Sequence, residues 1–246
     1  MFDKIKTLLK GAAPDHKGQE AYDHQHARLA RGLPMGMSPE DFAGMRLDGR
    51  VTFDLLALAP YSDLLFDSSM GGQDLHIAAV GTVDLGQGET LVRFYLENDT
   101  WVQASVASGQ VIEYKLFDFF QVQHLANTEF DRLINEHGVS NAGVSLGKAV
   151  LPLESESGQT ASYSRVWGQE GVPWSPPVLL EEEVTTLESV INRRVIHHCM
   201  LYERQLEGEG RYEYVLLSGE VDEEDRSYQL VTNLGIDLNP NNIRAV

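Results

Sequence analysis

The chain has 246 residues, 42% hydrophobic and 23% charged, a balance that suits a folded protein with a real core and argues against global disorder. A net charge of −18 opposes sequence-independent binding to DNA or RNA, which rests on Lys and Arg neutralising phosphates. Cys199 stands alone, no run approaches the ~20 apolar residues of a spanning helix, and the first residues lack the apolar core of a secretion signal, so a bacterial cytosolic protein in a reducing compartment is expected.

In chain order, residues 1–50 read as an N-terminal helical arm. Phe2, Ile5, Leu8 and Leu9 share one helical face, with Lys4, Lys6 and Lys10 around it. A short helix of this kind suits an anionic membrane surface or a partner groove; the plainer reading is a terminal helix packed on its own domain, or a frayed end. Residues 1–31 carry +2 and the remainder −20, which sets the tip apart from the body. Ser38-Pro39-Glu40-Asp41 is a helix start, with an N-cap, a proline and first-turn acids. Residues 51–137 form a first β-meander half. Val51 to Phe66 leaves strand and helix open. Ile77–Leu85 and Thr90–Leu96 make a hairpin closed by Gly86-Gln87-Gly88. Asn98-Asp99 and Ser108-Gly109 turn the chain into two more strands, Trp101–Val106 and Val111–Phe117. Val92, Phe94 and Leu96 alternate with Arg93 and Tyr95, which predicts one buried face.

Thr128 to His137 reads as a helix capped by Thr128 and stopped by Gly138. Residues 138–160, rich in Ser, Gly and Asn, are the expected linker. Residues 161–246 form a second β-meander half, with a proline-bounded loop at Pro173–Pro177, a strand over Val178–Leu187, and a meander from Met200 to Val231 that echoes the first. The fold class is therefore α+β and β-rich: two antiparallel meanders, readable as a duplication, with a few short helices.

Commonplace catalytic signatures are missing. Gly143–Ala149 is one residue short of a phosphate loop and has alanine where a hydroxyl is needed. No Gly-x-Ser-x-Gly, His-Glu-x-x-His or Cys-x-x-Cys occurs. His197-His198-Cys199 begin a strand, where neighbours face opposite ways, so at most two of them meet one ion. Cys199 reads as a small buried hydrophobe. The acids Glu181–Glu183 and Glu220–Asp225 read as solvated runs. No catalytic residue, metal or cofactor is assigned. The interaction candidates are two arginine–aromatic clusters, Arg93 with Tyr95 and Trp101, and Arg204 with Tyr202, Tyr212 and Tyr214. On a sheet such clusters stabilise the fold, and they also suit an interface.

The ordered set Gly81-x-Val83-Asp84-Leu85-Gly86-x-Gly88, Arg93-Phe94-Tyr95-Leu96-Glu97, Arg165-Val166-Trp167, Met200-Leu201-Tyr202-x-Arg204 and Glu213-Tyr214-x-Leu216-Leu217 resembles the uncharacterised YjfK-like bacterial family from about Gly32 onward. The resemblance lends no activity. Through its gene neighbourhood it implies a cytosolic accessory of an envelope-stress or peptide-ligation system. The leading expectation is a non-enzymatic protein-interaction or scaffold protein with a protein partner, no nucleic acid, and a place in the cytoplasm, peripheral to the inner membrane if the N-terminal helix docks there. The rival is an enzyme or small-molecule binder with its site between the halves, near Trp101, Trp167 and Trp174.

Overall fold

Along Glu89–Leu96 both alternating sets of side chains are buried. Leu91 and Arg93 face one way, Val92 and Phe94 the other, and none is more than 6% exposed. The one-faced meander expected from the alternation cannot explain this, because a strand buried on both sides needs a layer above and a layer below. The computed structural model supplies both. It describes residues 30–135, 146–155, 158–188, 193–208, 210–222 and 227–246, so the face Phe2, Ile5, Leu8 and Leu9 lies outside the described residues.

The described strands, in order, are β1 (Arg50–Phe53), β2 (Leu75–Gly86), β3 (Glu89–Leu96), β4 (Trp101–Ala107), β5 (Gln110–Leu125), β6 (Val150–Glu154), β7 (Thr160–Arg165), β8 (Val178–Thr186), β9 (Arg193–Gln205), β10 (Tyr212–Asp222), β11 (Ser227–Asp237) and β12 (Ile243–Ala245). One α-helix, α1 (Asn127–Asn135), is described, with a few short 3-10 turns. The protein is thus β-rich with few and short helices. β2 to β5 run as consecutive antiparallel neighbours, and so do β8 to β11. Two seams join the runs. β5 pairs β11 from Lys115↔Asp237 to Leu125↔Tyr228, and β2 pairs β8 from Ala79↔Thr186 to Val83↔Glu182. Eight antiparallel strands therefore close into a barrel, which leaves them no free edge.

Outside the barrel, Val92, Phe94 and Leu96 form a core with Phe42, Met45 and Phe53 from the preceding segment. Phe42 meets Phe94 edge-on, centroids 5.6 Å apart. Each such side chain contributes about 1.5–3 kcal/mol on burial. Ser38 begins a 3-10 turn over Pro39–Phe42, its backbone N–H and hydroxyl both donating to Asp41 Oδ2. The ambiguous stretch after Val51 resolves as β1 followed by a 3-10 turn at Leu56–Leu58. β1 lies between β12 and the start of β2. Within the stretch read as a linker, Val150–Glu154 form β6, which pairs β7, and Leu146 and Leu151 are buried. α1 starts one residue before the expected Thr128; Ala126 N–H donates to Glu129 Oε2 at 2.9 Å and Phe130 packs on Tyr228. The expected stop at Gly138 lies outside the described residues.

The sheet outruns the expectation at one place. β5 continues past Phe117 to Leu125, and its register against β11 skips Phe120, with Phe119 opposite Asn233 and Gln121 opposite Thr232. A bulge of this kind bends a strand and re-aims its side chains. Here it brings Phe119 to the open end of the barrel.

Candidate functional site

The lumen-facing positions follow from register. Arg93 lies between Gly81 and Gln103, Tyr95 is opposite Trp101, and His197 and Cys199 are opposite Glu220 and Ser218. These positions carry a polar plug rather than the greasy filling of an ordinary small barrel. Glu182 is its centre and is fully buried. Its Oε2 accepts from Arg93 Nη1 and His197 Nε2, both at 2.8 Å, and its Oε1 accepts from Tyr95 O–H at 2.7 Å. Gly81 makes room for it: a methyl group there collides with Glu182 Oε1. Gly235 does the same for the ring of Phe117, on which Trp101 stacks at 4.4 Å. The Arg93 guanidinium sits 4.9 Å from the Trp101 ring centroid, a cation–π contact.

The charges follow from these contacts. Burial alone pushes the Glu182 carboxyl up, but the Arg93 charge and hydrogen bonds from His197 and Tyr95 hold it at about 2. Burial likewise opposes a charged His197, yet hydrogen bonds with Glu182 and Glu220 outweigh it and raise the imidazole above its ordinary value. Burial and the neighbouring Glu182 push the Tyr95 phenol well up. Burial lifts the Cys199 thiol to about 11, so it stays protonated and inert.

Ser218 Oγ lies 3.0 Å from His197 Nδ1, and His197 Nε2 lies 2.8 Å from Glu182. The order serine, histidine, glutamate matches a nucleophile triad in outline. Its electrostatics do not match. Glu220 Oε1 stands 3.4 Å from the same Nδ1, so the imidazole lies between two carboxylates and holds the proton that a general base must be ready to accept. The cluster orients and charges a pocket better than it activates a hydroxyl.

That pocket is one open end of the barrel, a cavity of about 440 Å³ lined by Arg93, Tyr95, Trp101, Phe119, His197, Leu216, Ser218, Glu220, Gln229 and Asn233, with Asp99 on the β3–β4 turn. Arg93 Nε and Nη1 donate to Gln103 and Glu182. Nη2 is buried and has no hydrogen-bond partner, an unusual state for a guanidinium. The opposite end differs. It is a cavity of about 590 Å³ lined by Leu91, Trp167, Leu180 and Leu201, with the half-exposed Leu85, Ile112, Val166 and Val178 around it.

The structure brings Arg93, Tyr95 and Trp101 together in the lumen and separates them from Arg204. Arg204 lies outside the barrel, where it pairs with the fully buried Glu213, bonds Asp63, and sits 5.3 Å from the Tyr163 ring. Tyr214 is also in the lumen, beneath Lys115 Nζ at 4.1 Å and donating to Asp237 Oδ2 at 3.0 Å. Tyr212 is 37% exposed. Of the three tryptophans expected near one site, Trp101 and Trp167 line opposite ends, and Trp174 donates to the Leu146 carbonyl. Reading acid-rich segments as solvated misses Glu182 and Glu220, weighing His197 only as an ion ligand misses its partners, and Ser218 carries no local signal. Glu182 is buried, and Glu220 is mostly so. The available signal was alternation: Leu180, Glu182 and Val184 share a face, which places one acid of the run inside. Among the described residues no group of three or more His, Cys, Asp or Glu could hold a metal ion, and no helix is long and apolar enough to cross a membrane.

Comparison with known proteins gives kinship without chemistry. The chain is 26% identical over 177 residues, 72% of its length and 76% of the relative's, to the uncharacterized protein YjfK of Escherichia coli (strain K12). No solved structure matches it. The model of a protein family of unknown function, DUF2491, matches residues 17–244, and the chain belongs to that family.

Proposed function

We propose that this protein is a binding barrel, a non-enzymatic protein that takes a small polar molecule into the polar end between its two four-strand halves. The observation that carries the reading is Arg93, which lines a cavity of about 440 Å³ and whose Nη2 is buried without a hydrogen-bond partner. A buried donor left unmade costs about 1–3 kcal/mol, more when charged, and a ligand oxygen there recovers it. Cavity size, apolar patches and a few convergent polar groups are what small-molecule sites have in common. The halves read as pseudo-symmetric: the seams join first strand to first (β2–β8) and last to last (β5–β11), as a twofold requires.

The test is a thermal-melt panel of amino acids, carboxylic acids, amines, nucleosides and sugars on the intact chain and on Gln229→Trp, which fills the polar end from its rim. A true ligand at a hundredfold its Kd stabilises by about 2.7 kcal/mol; the melt rises for the intact chain and not for the variant. A panel with no shift in the intact chain overturns the reading.

A second reading, a protein-interaction role, is supported by the apolar end, where Leu85, Ile112, Val166 and Val178 stand 38–68% exposed around one cavity. Clustered apolar exposure marks contact surfaces. The partner would insert an apolar side chain there. A photo-crosslinker at Ile112 should then capture one defined protein, lost on Val178→Glu; equal capture from a crosslinker at Leu56 would refute it. An accessory place in envelope stress stays an implication of the resemblance alone.

A further inference from the structure

The polar end also has a direction, and this inference rests on the binding role just proposed. Behind the wall that Arg93 lines, the spare group is a donor, its buried Nη2. The deep acceptors are spent: both Glu182 oxygens are occupied, and Asn233 Oδ1 takes the Trp101 N–H at 3.3 Å. Toward solvent the order reverses. Glu220 accepts from Gln229 Nε2 at 2.9 Å and stands 3.4 Å from His197 Nδ1, yet keeps 22% of its side chain exposed, and Asp99 stands exposed on the β3–β4 turn. The wall also carries apolar side chains, among them Phe119, Leu216 and Val231.

We infer that this end takes a small amino-acid-like molecule, its carboxyl or amide oxygen turned inward to Arg93, its protonated amine outward to Glu220 and Asp99, and an apolar stem between. A molecule of the reverse polarity sets its amine beside the Arg93 guanidinium and its carboxylate between two acids, and like charges at contact are strongly disfavoured. A plain carboxylate satisfies Arg93 but offers nothing to Glu220 and Asp99. A plain amine leaves Arg93 as it is. Charge-assisted hydrogen bonds at both ends reward the bifunctional ligand alone.

Calorimetric titration of the intact chain uses four probes: δ-aminovalerate, δ-aminovaleramide, valerate and pentylamine. The first two are expected to bind about tenfold or more tighter than the last two, tenfold being 1.4 kcal/mol, and the preference between them tells a carboxylate from an amide acceptor. Asp99→Asn with Glu220→Gln should erase the advantage of δ-aminovalerate over valerate. Should the double variant melt early, Asp99→Asn alone serves, because asparagine tolerates the positive φ of that turn, and a reduced advantage is expected. Valerate or pentylamine binding as tightly as δ-aminovalerate overturns the inference. If all four fail while another panel compound stabilises the intact chain but not Gln229→Trp, the ligand class is wrong and the binding role stands. If nothing in the panel binds, both fall.

Discussion

Two buried arginine–glutamate pairs hold this protein together, and they are spent differently. Outside the barrel Glu213 accepts from Leu65 N–H, Phe66 N–H, Tyr163 O–H and Arg204 Nε, all within 2.8 Å. Arg204 gives its remaining donors to Glu213 and Asp63, including the Asp63 carbonyl. Every guanidinium nitrogen there has a partner, and the pair fastens the segment around Asp63–Phe66 to the sheet. Inside the barrel Glu182 is equally saturated, but Arg93 keeps one nitrogen free on a cavity wall. A pair with all donors used is an anchor. A pair with one left over, beside a cavity, is preorganised for something to arrive.

The anchor should break hardest. Glu213→Ala removes the acceptor for two backbone amides and a phenol, takes away half of the counter-charge of Arg204, and leaves a cavity. Loss of one partner of a buried pair costs about 3–5 kcal/mol, and the added cavity sets this variant toward the upper end. A urea midpoint unchanged from the parent would show that Asp63 alone holds Arg204. Glu182→Gln should follow at about 3 kcal/mol, since the amide keeps the shape of the carboxylate and its contacts with Tyr95 while stranding the Arg93 charge. It also carries a pH signature. A carboxyl held down at about 2 adds stability that is complete above its unfolded value near 4.5 and is lost as pH falls through 2. The stability difference between parent and Glu182→Gln should therefore shrink across that window.

Gly81→Ala ranks third, at roughly 1–3 kcal/mol for an overpacked interior. Its methyl meets Glu182 Oε1, the atom that holds Tyr95. It should lower the melting temperature and weaken any ligand held by Arg93 in one step, whereas Gly235→Ala, which strikes the Phe117 ring, should destabilise without a specific effect on Arg93. Equal loss of binding in both would remove the distinction between plug and packing.

Much of the strand order was legible. Period-two alternation and the turns at Gln87-Gly88, Asn98-Asp99 and Ser108-Gly109 place β2 to β4 and the start of β5 within a few residues, and Val178–Leu187 anticipates β8. Closure was not legible. Whether β2 finds β8, or β5 finds β11, depends on pairings about 100 residues apart, which leave no local pattern. The site suffered from the same blindness. Arg93, Tyr95 and Trp101 announced themselves by chemical type, but Glu182 hid in a run of three acids and Glu220 beside a run of four, because composition speaks for solvent and only the strand register says which acid turns inward. Arg204 matched Arg93 in sequence context and differs from it in one respect no sequence displays, the count of partners already in place.

The smallest effect sharpens the contrast between anchor and plug most narrowly. His197 faces Glu182, Glu220, Ser218 and, beyond Glu182, Arg93. Its pKa is raised despite burial because hydrogen bonds with two carboxylates favour the imidazolium. A raised pKa means that the folded state binds the proton more tightly than the unfolded chain does. The stability so gained is complete below the ordinary histidine value near 6.5 and fades as pH climbs through the higher folded value. His197→Gln should flatten this alkaline limb in pH-dependent urea melts, while Glu213→Ala should leave it standing, because among the described residues no histidine contacts that anchor. Should the limb survive in His197→Gln, the imidazole is neutral between its two acids. Ser218 then has a base beside it, and the triad set aside on electrostatic grounds returns as a working nucleophile.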